Sequence, residues 1–401
     1  DDNGQLALAT LEQGQTRIRR LRDAKPLETV PASIAASSTP VAPPTLAMEG
    51  ETSYSALSTL APRSWFPTLF ADRNTFGLGA TTFGGDALDW HRYTLAPLYE
   101  FTQREPLGLF EYVYDDRHYL TLDRSLAVTR WRTEDKRDKA TQYERSLQAQ
   151  WISLARFIRW DYRVNLGVGA AIEQKDRVTV DGPTQELDDE RLAAGMLEYE
   201  SLYRNIYSEG PSRGLRARFL FETYRPFKSD TSFDGNVSRL DLQAYFPIGK
   251  SVLALRAVEA RATGATEDFE LGGSFSEFAA EAPRLNERRL ALRGYDRGIA
   301  ALRGPDARLG SVELRFPIAD IDRHFMVPPI GINRLSAAVF YDTGRVSGNG
   351  AVSEYRQGVG IEVLGEIKLG YLFYLPVRLG VAHGLDDLGE TQAYLQIGRS
   401  F

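Results

Sequence analysis

Apolar and polar residues take turns along much of the chain. In the closing segment TQAYLQIGRSF, Ala393, Leu395, Ile397 and Phe401 share one face, and Gln392, Tyr394, Gln396 and Ser400 share the other. The same beat runs through RLDLQAYF, where Leu240, Leu242, Ala244 and Phe246 alternate with Arg239, Asp241, Gln243 and Tyr245. It returns in GLRARFLFE (Leu215, Ala217, Phe219 and Phe221 against Arg216, Arg218 and Glu222) and in LFYLPVRLGV. Such segments predict strands with one apolar side. Their length of about ten residues suits a tilted crossing of a bilayer. The opposite rows carry Arg, Glu, Asp and Gln at strand centres, which fits a wet lumen better than one face of a small sandwich. A soluble sheet protein alternates too and is the competing reading. From Thr75 onward about fifteen segments stand out. A barrel with both ends on one side needs an even number, so the pattern predicts an all-β fold, a sixteen-stranded antiparallel transmembrane β-barrel. Closure also removes strand edges, which hydrocarbon cannot solvate.

Upstream of Thr75 the beat fades. Residues 1–22 contain two short strands, Leu6 to Leu21, around a Gln-Gly turn, too small to be stable alone, and read as the remnant of a preceding β domain. Residues 23–74 read as linker and lead-in, since Lys25 to Pro44 is rich in Pro, Ala, Ser and Thr. Residues 75–401 form the barrel. The chain begins DDNGQ, with neither an initiator Met nor a basic-then-apolar leader, and reads as a mature protein or a fragment.

Composition narrows the chemistry. Of 401 residues 43% are hydrophobic and the net charge is −6, which makes no case for nucleic acid. No run of about 18 apolar residues exists, which excludes a transmembrane helix and leaves a barrel open. Zero Cys removes disulfides and thiol chemistry. His91, His118, His324 and His383 fall in no metal-binding spacing, and no nucleophile elbow, phosphate loop or dinucleotide fingerprint is present, so neither an enzyme nor a cofactor or metal is expected.

One connection is out of proportion. Roughly 45 residues separate the strand ending near Arg261 from the one beginning near Gly310, and loops of this length are uncommon unless functional or disordered. FELGG (Phe269 to Gly273, with glycines Gly272 and Gly273 at the loop's start), LRGY (Leu292 to Tyr295), GSVELRFPI (Gly310 to Ile318) and VFYDTG (Val339 to Gly344) follow in order. In order and spacing they resemble the BamA/TamA/FhaC-type outer-membrane insertase and translocase barrels of the bacterial surface antigen family. The resemblance implies that the loop folds into the lumen, where Arg293, Gly294 and Tyr295 meet acidic residues on the wall. Parity supplies two: the row Val312, Leu314, Phe316 and Ile318 turns Glu313 inward, and Val339 with Tyr341 turns Asp342 inward. A structural role, pinning a plug, competes with a part in handling substrate.

The resemblance further implies an integral protein of the bacterial outer membrane, with lipid around it, assembled by the outer-membrane assembly machinery through the terminal aromatic Phe401. It implies a protein or other macromolecular substrate, or a periplasmic partner, inserted or translocated by lateral opening between first and last strands. Gly77, Gly79, Gly84 and Gly85 on the first strand and Gly398 on the last would soften that seam. POTRA modules are not visible. The run Tyr54 to Pro67 is similar to the lead-in of a subset that follows a TolB-like β-propeller. The alternatives are a membrane anchor for a periplasmic propeller and an outer-membrane lipid hydrolase.

Overall fold

The computed structural model describes residues 6–12, 15–21, 54–72, 75–132, 139–179, 184–186, 189–205, 208, 210–225, 233–274, 283–348, 354–369 and 373–397. Two compact units result, Asp1–Ser55 and Ala56–Phe401. In the first, β1 (Leu6–Glu12) and β2 (Gln15–Leu21) pair as an antiparallel hairpin in the register Glu12 to Gln15 through Leu6 to Leu21.

The second unit is a sheet of long strands. They are β3 (Phe66–Asp72), β4 (Thr75–Gly85), β5 (His91–Glu100), β6 (Glu105–Tyr114), β7 (His118–Arg132), β8 (Lys139–Ile158) and β9 (Arg163–Thr179). A short β10 (Thr184–Glu186) folds back on β9, and then follow β11 (Glu190–Glu200), β12 (Gly214–Tyr224), β13 (Asp234–Ile248) and β14 (Ser251–Ala265). Within the long loop, β15 (Phe269–Leu271), β16 (Arg289–Leu290) and β17 (Arg303–Gly304) make a small separate sheet. The set ends with β18 (Asp306–His324), β19 (Ile330–Ser347), β20 (Arg356–Leu369), β21 (Phe373–Gly384) and β22 (Thr391–Ile397). With β10 and the loop strands set aside, sixteen strands pair with their sequence neighbours in the order of a closed barrel, β22 lying beside β3.

The first strand is not the one the pattern predicts. β3 lies within the stretch read as linker and lead-in, and pairs antiparallel with β4 from Asp72 opposite Thr75 to Phe66 opposite Thr81. In FPTLFAD apolar residues fall at both odd and even positions, so no polar row marks it, and a proline is ordinarily a sign against a strand. A second departure is length: β8, β18 and β19 have 20, 19 and 18 residues, well beyond a bilayer crossing.

Inside and outside sort by parity. On β13 the inward Val237, Asp241, Gln243 and Tyr245 are buried while Leu240, Leu242 and Phe246 are exposed. The interior is not uniformly wet: Phe269, Leu271, Leu290, Leu292 and Leu302 of the loop join Ile152, Leu192 and Val258 of the wall in one apolar cluster. At the end opposite the long loop, the described residues of the connection Ser201–Arg213 also turn inward, with Ser212 fully buried and Leu202 against Tyr245, Val252 and Ala254.

Among the described residues no helix is long and apolar enough to cross a membrane, which says nothing of strands. The outward rows leave Val168 at 59%, Ile361 at 61% and Leu395 at 66% exposure. Apolar surface this continuous needs an apolar partner. The purified chain is therefore expected to stay monodisperse only in detergent or lipid. A stable monomer in plain buffer by analytical ultracentrifugation would contradict a lipid-facing exterior.

Candidate functional site

The long loop enters through two glycines. After the buried Phe269, Glu270 and Leu271, Gly272 and Gly273 adopt φ of +141° and +70°. A Cβ at Gly272 would sit 2.6 Å from the Asp296 carbonyl oxygen, so this backbone approach admits no side chain. The Gly272 amide donates to the Leu290 carbonyl (3.0 Å) and the Gly273 amide to that of Tyr295 (2.8 Å), tying the loop's start to its tip.

At the tip Arg293 is buried among three carboxylates. Nε and Nη2 hold the two oxygens of Asp342 at 2.6 and 2.7 Å, Nη2 also reaches Ser311 Oγ at 3.2 Å, and Nη1 lies 2.8 Å from Glu313 and 3.1 Å from Glu362. The guanidinium carbon stands 3.5 Å from the centre of the Phe340 ring. A planar five-donor fork can serve three carboxylates from separate strands at once, whereas an ammonium has three donors and no plane. The carboxylates have second partners: Arg315 binds Glu313 at 2.7 Å, Arg378 binds Glu362 at 2.6 Å, and the Tyr394 hydroxyl donates to Glu362. Three guanidiniums thus face three carboxylates, and the buried cluster is neutral, the condition under which buried ions are tolerated.

Five consecutive strands build this cluster through one parity. Val312 and Leu314 point out and Ser311, Glu313 and Arg315 in on β18; Val339 and Tyr341 out and Phe340 and Asp342 in on β19; Ile361 and Val363 out and Glu362 in on β20. β21 adds Arg378 and β22 adds Tyr394. Of these, the sequence reading named Glu313 and Asp342. The same alternation in VGIEV places Glu362 inward between Ile361 and Val363, so that partner was legible and missed.

Gly294, at φ +92°, runs so close to β21 that a Cβ would fall 2.5 Å from the Gly384 amide nitrogen, and Gly358 of β20 faces the Arg293 carbonyl as tightly. The Tyr295 side chain is buried, its hydroxyl 2.7 Å from Asp386 and 2.8 Å from the Gln357 carbonyl. The other side of the loop reaches the far wall, where Gln150 of β8 donates to the Pro283 carbonyl at 3.0 Å and Asn286 meets β9, β11 and β12. β8 and β20 stand eight places apart in the sixteen-strand order, so the loop bridges the lumen from side to side.

Other expected site residues fall elsewhere. Gly77 and Gly79 lie on β4, opposite Glu100 and Leu98 of β5, and with Gly84 and Gly85 sit one strand inside the seam because β3 precedes them. A Cβ at Gly79 would stand 2.2 Å from the Pro97 carbonyl oxygen, so that glycine serves close packing onto β5. Gly398 and Phe401 lie outside the described residues. His91 pairs with the Tyr112 hydroxyl (2.6 Å), His118 with Ser153 (3.1 Å) and His383 with Thr391 (2.9 Å). Among the described residues no group of three His, Asp or Glu side chains is placed to hold a metal.

No protein-family model and no curated protein matches this chain. Solved structures do. CdiB from Acinetobacter baumannii superposes with a TM-score of 0.51 at 11% identity, over 80% of this chain and 56% of that one. BamA from Haemophilus ducreyi lacking POTRA domains 1–3 gives 0.48 at 11% identity, over 84% of this chain and 75% of that one. The chain thus spans little more than half of CdiB, and the likeness to CdiB is one of fold.

The charge balance makes a specific prediction. Arg293→Ala leaves Asp342 without its guanidinium and the buried cluster with one uncompensated negative charge, and losing one member of a buried ion cluster costs about 3–5 kcal/mol. Pairing Arg293→Met with Asp342→Asn leaves Glu313 with Arg315 and Glu362 with Arg378, and is expected to cost less than the single change. Urea unfolding in detergent and tryptic cleavage of the loop report both. Equal stability of wild type and Arg293→Ala would show that the cluster does not hold the loop.

Proposed function

We propose that this chain is an integral β-barrel of the bacterial outer membrane that inserts or translocates a polypeptide, or another macromolecule, and performs no covalent chemistry of its own. The observation that carries this reading is the loop held across the lumen by Arg293. A barrel built for free diffusion of small solutes keeps its lumen open. One whose lumen is bridged must move its cargo by displacing the bridge or by opening its wall. The CdiB-like fold and the exposed apolar rows support the same reading. Outer-membrane lipid would surround those rows, and the cell's outer-membrane assembly machinery would insert the barrel by way of its last strand.

The wall would open between β3 and β22. β3 has only seven residues, and Pro67 gives it one amide donor fewer. A short ladder has fewer bonds to break, and an unzipped edge in hydrocarbon is tolerable only while another strand pairs with it. The paired hairpin β1–β2 favours a second reading, in which the barrel anchors a periplasmic β domain such as a propeller.

Cysteine pairs scanned across Phe66–Asp72 and Thr391–Ile397 distinguish the two readings. Oxidised pairs are expected to leave the barrel folded and to stop insertion or translocation until reduced. Full activity with the seam quantitatively locked would exclude lateral opening and favour the anchor.

A further inference from the structure

The far wall of the lumen reads a peptide backbone. On β8, Gln148 and Gln150 both face inward. The Gln150 carboxamide donates to the Pro283 carbonyl at 3.0 Å and accepts from the Leu285 amide at 3.1 Å, and Gln148 donates to the Leu285 carbonyl at 3.4 Å. Two glutamine side chains thus bond main-chain groups of Pro283 and Leu285, contacts that do not depend on the side chains the segment carries. Gln150 is buried, which protects these bonds from water.

Side-chain selection is built in beside this clamp. Leu285, itself buried, lies over Gly169 of β9, where a Cβ would come within 3.1 Å of the leucine methyl. Gly167, Gly169 and Ala171 form the small-residue inward row of β9 that makes this space. Next comes Asn286 at φ +59°, a conformation asparagine tolerates better than most residues. Its amide donates to Glu222 at 2.7 Å, its carboxamide accepts from the Tyr224 hydroxyl at 2.9 Å, and its NH2 donates to Glu173 and Glu190. Arg288 then pairs with Glu222 at 3.2 Å, between the Tyr224 and Phe269 rings.

We infer that this wall, β8, β9, β11 and β12, is a peptide-binding site which the chain's own segment Pro283–Arg288 occupies as an internal ligand. Its preferred ligand is a stretch that bends at an apolar residue followed by a left-handed asparagine, with a cation two residues on. A cavity of about 580 Å³, lined in part by Gln148, Glu173 and Glu190, adjoins the segment and gives an incoming chain room to exchange with it. As a statement about substrate this rests on the function proposed above; as a statement about binding it rests on these contacts alone.

The test is direct binding in detergent, with no transport assay. Pro283–Arg288 is replaced by Gly and Ser in the full chain, and a capped fluorescent peptide Pro-Arg-Leu-Asn-Glu-Arg is titrated by anisotropy. Saturable binding is expected to the emptied protein and at least tenfold weaker binding to wild type. Gln148→Ala with Gln150→Ala in the emptied protein, or N-methylation of the peptide's leucine amide, is expected to weaken binding about tenfold or more. Gly169→Val should abolish it. No uptake by a folded emptied protein, or indifference to N-methylation, overturns the site. If the emptied chain fails to fold, tryptic cleavage after Arg284 decides: at least tenfold faster in Gln148→Ala/Gln150→Ala than in wild type supports the clamp, and equal rates overturn it. Peptide binding without any insertion or translocation in cells would sink the proposed function and leave the site standing.

Discussion

One arginine fork sets the terms for the last strands of this barrel. Arg293 engages groups on β18, β19 and β20, and two of those carboxylates are held in turn by Arg315 and by Arg378 of β21, so four strands must keep one register for the cluster to stay neutral. A slip of one residue in any of them would turn its partner outward and leave an uncompensated ion in a buried place. The cluster is thus as much a register lock for the wall as a fastening for the loop.

On the opposite wall β9, β11 and β12 hold the loop by carboxylates, through Asn286 and the buried Arg288–Glu222 pair, while β8 holds it by weaker and more adaptable means, the carboxamides of Gln148 and Gln150. Neutral hydrogen bonds contribute about 1 kcal/mol each and can be exchanged for others of the same kind, whereas a charge-assisted fork cannot be replaced piecemeal. The contacts with β8 are of the exchangeable kind.

What the amino-acid sequence disclosed followed the strength of each signal. Alternation over long strands placed Glu313 and Asp342 inward, because parity needs no knowledge of pairing. β3 escaped because its two faces are almost equally apolar and it carries Pro67. Arg315 and Arg378 were beyond reach for a different reason: inward Arg is common in a lumen, and which carboxylate it meets depends on strand order and stagger. Gln148 and Gln150 gave no signal, since a polar residue on an inward row looks the same whether it faces water or a peptide.

The glycine contact at the tip has a consequence in time. Gly294 lies against Gly384 and Gly358 with no room for a single methyl group, beneath a tyrosine whose hydroxyl is bonded to the wall. Nothing with the bulk of Arg293 can pass through such a fit after the surrounding strands have zipped. The loop must therefore be in place while β20, β21 and β22 are still pairing, so these last strands assemble around it as around a former, and the step that closes the barrel waits on contacts between residues far apart in sequence, the slow kind.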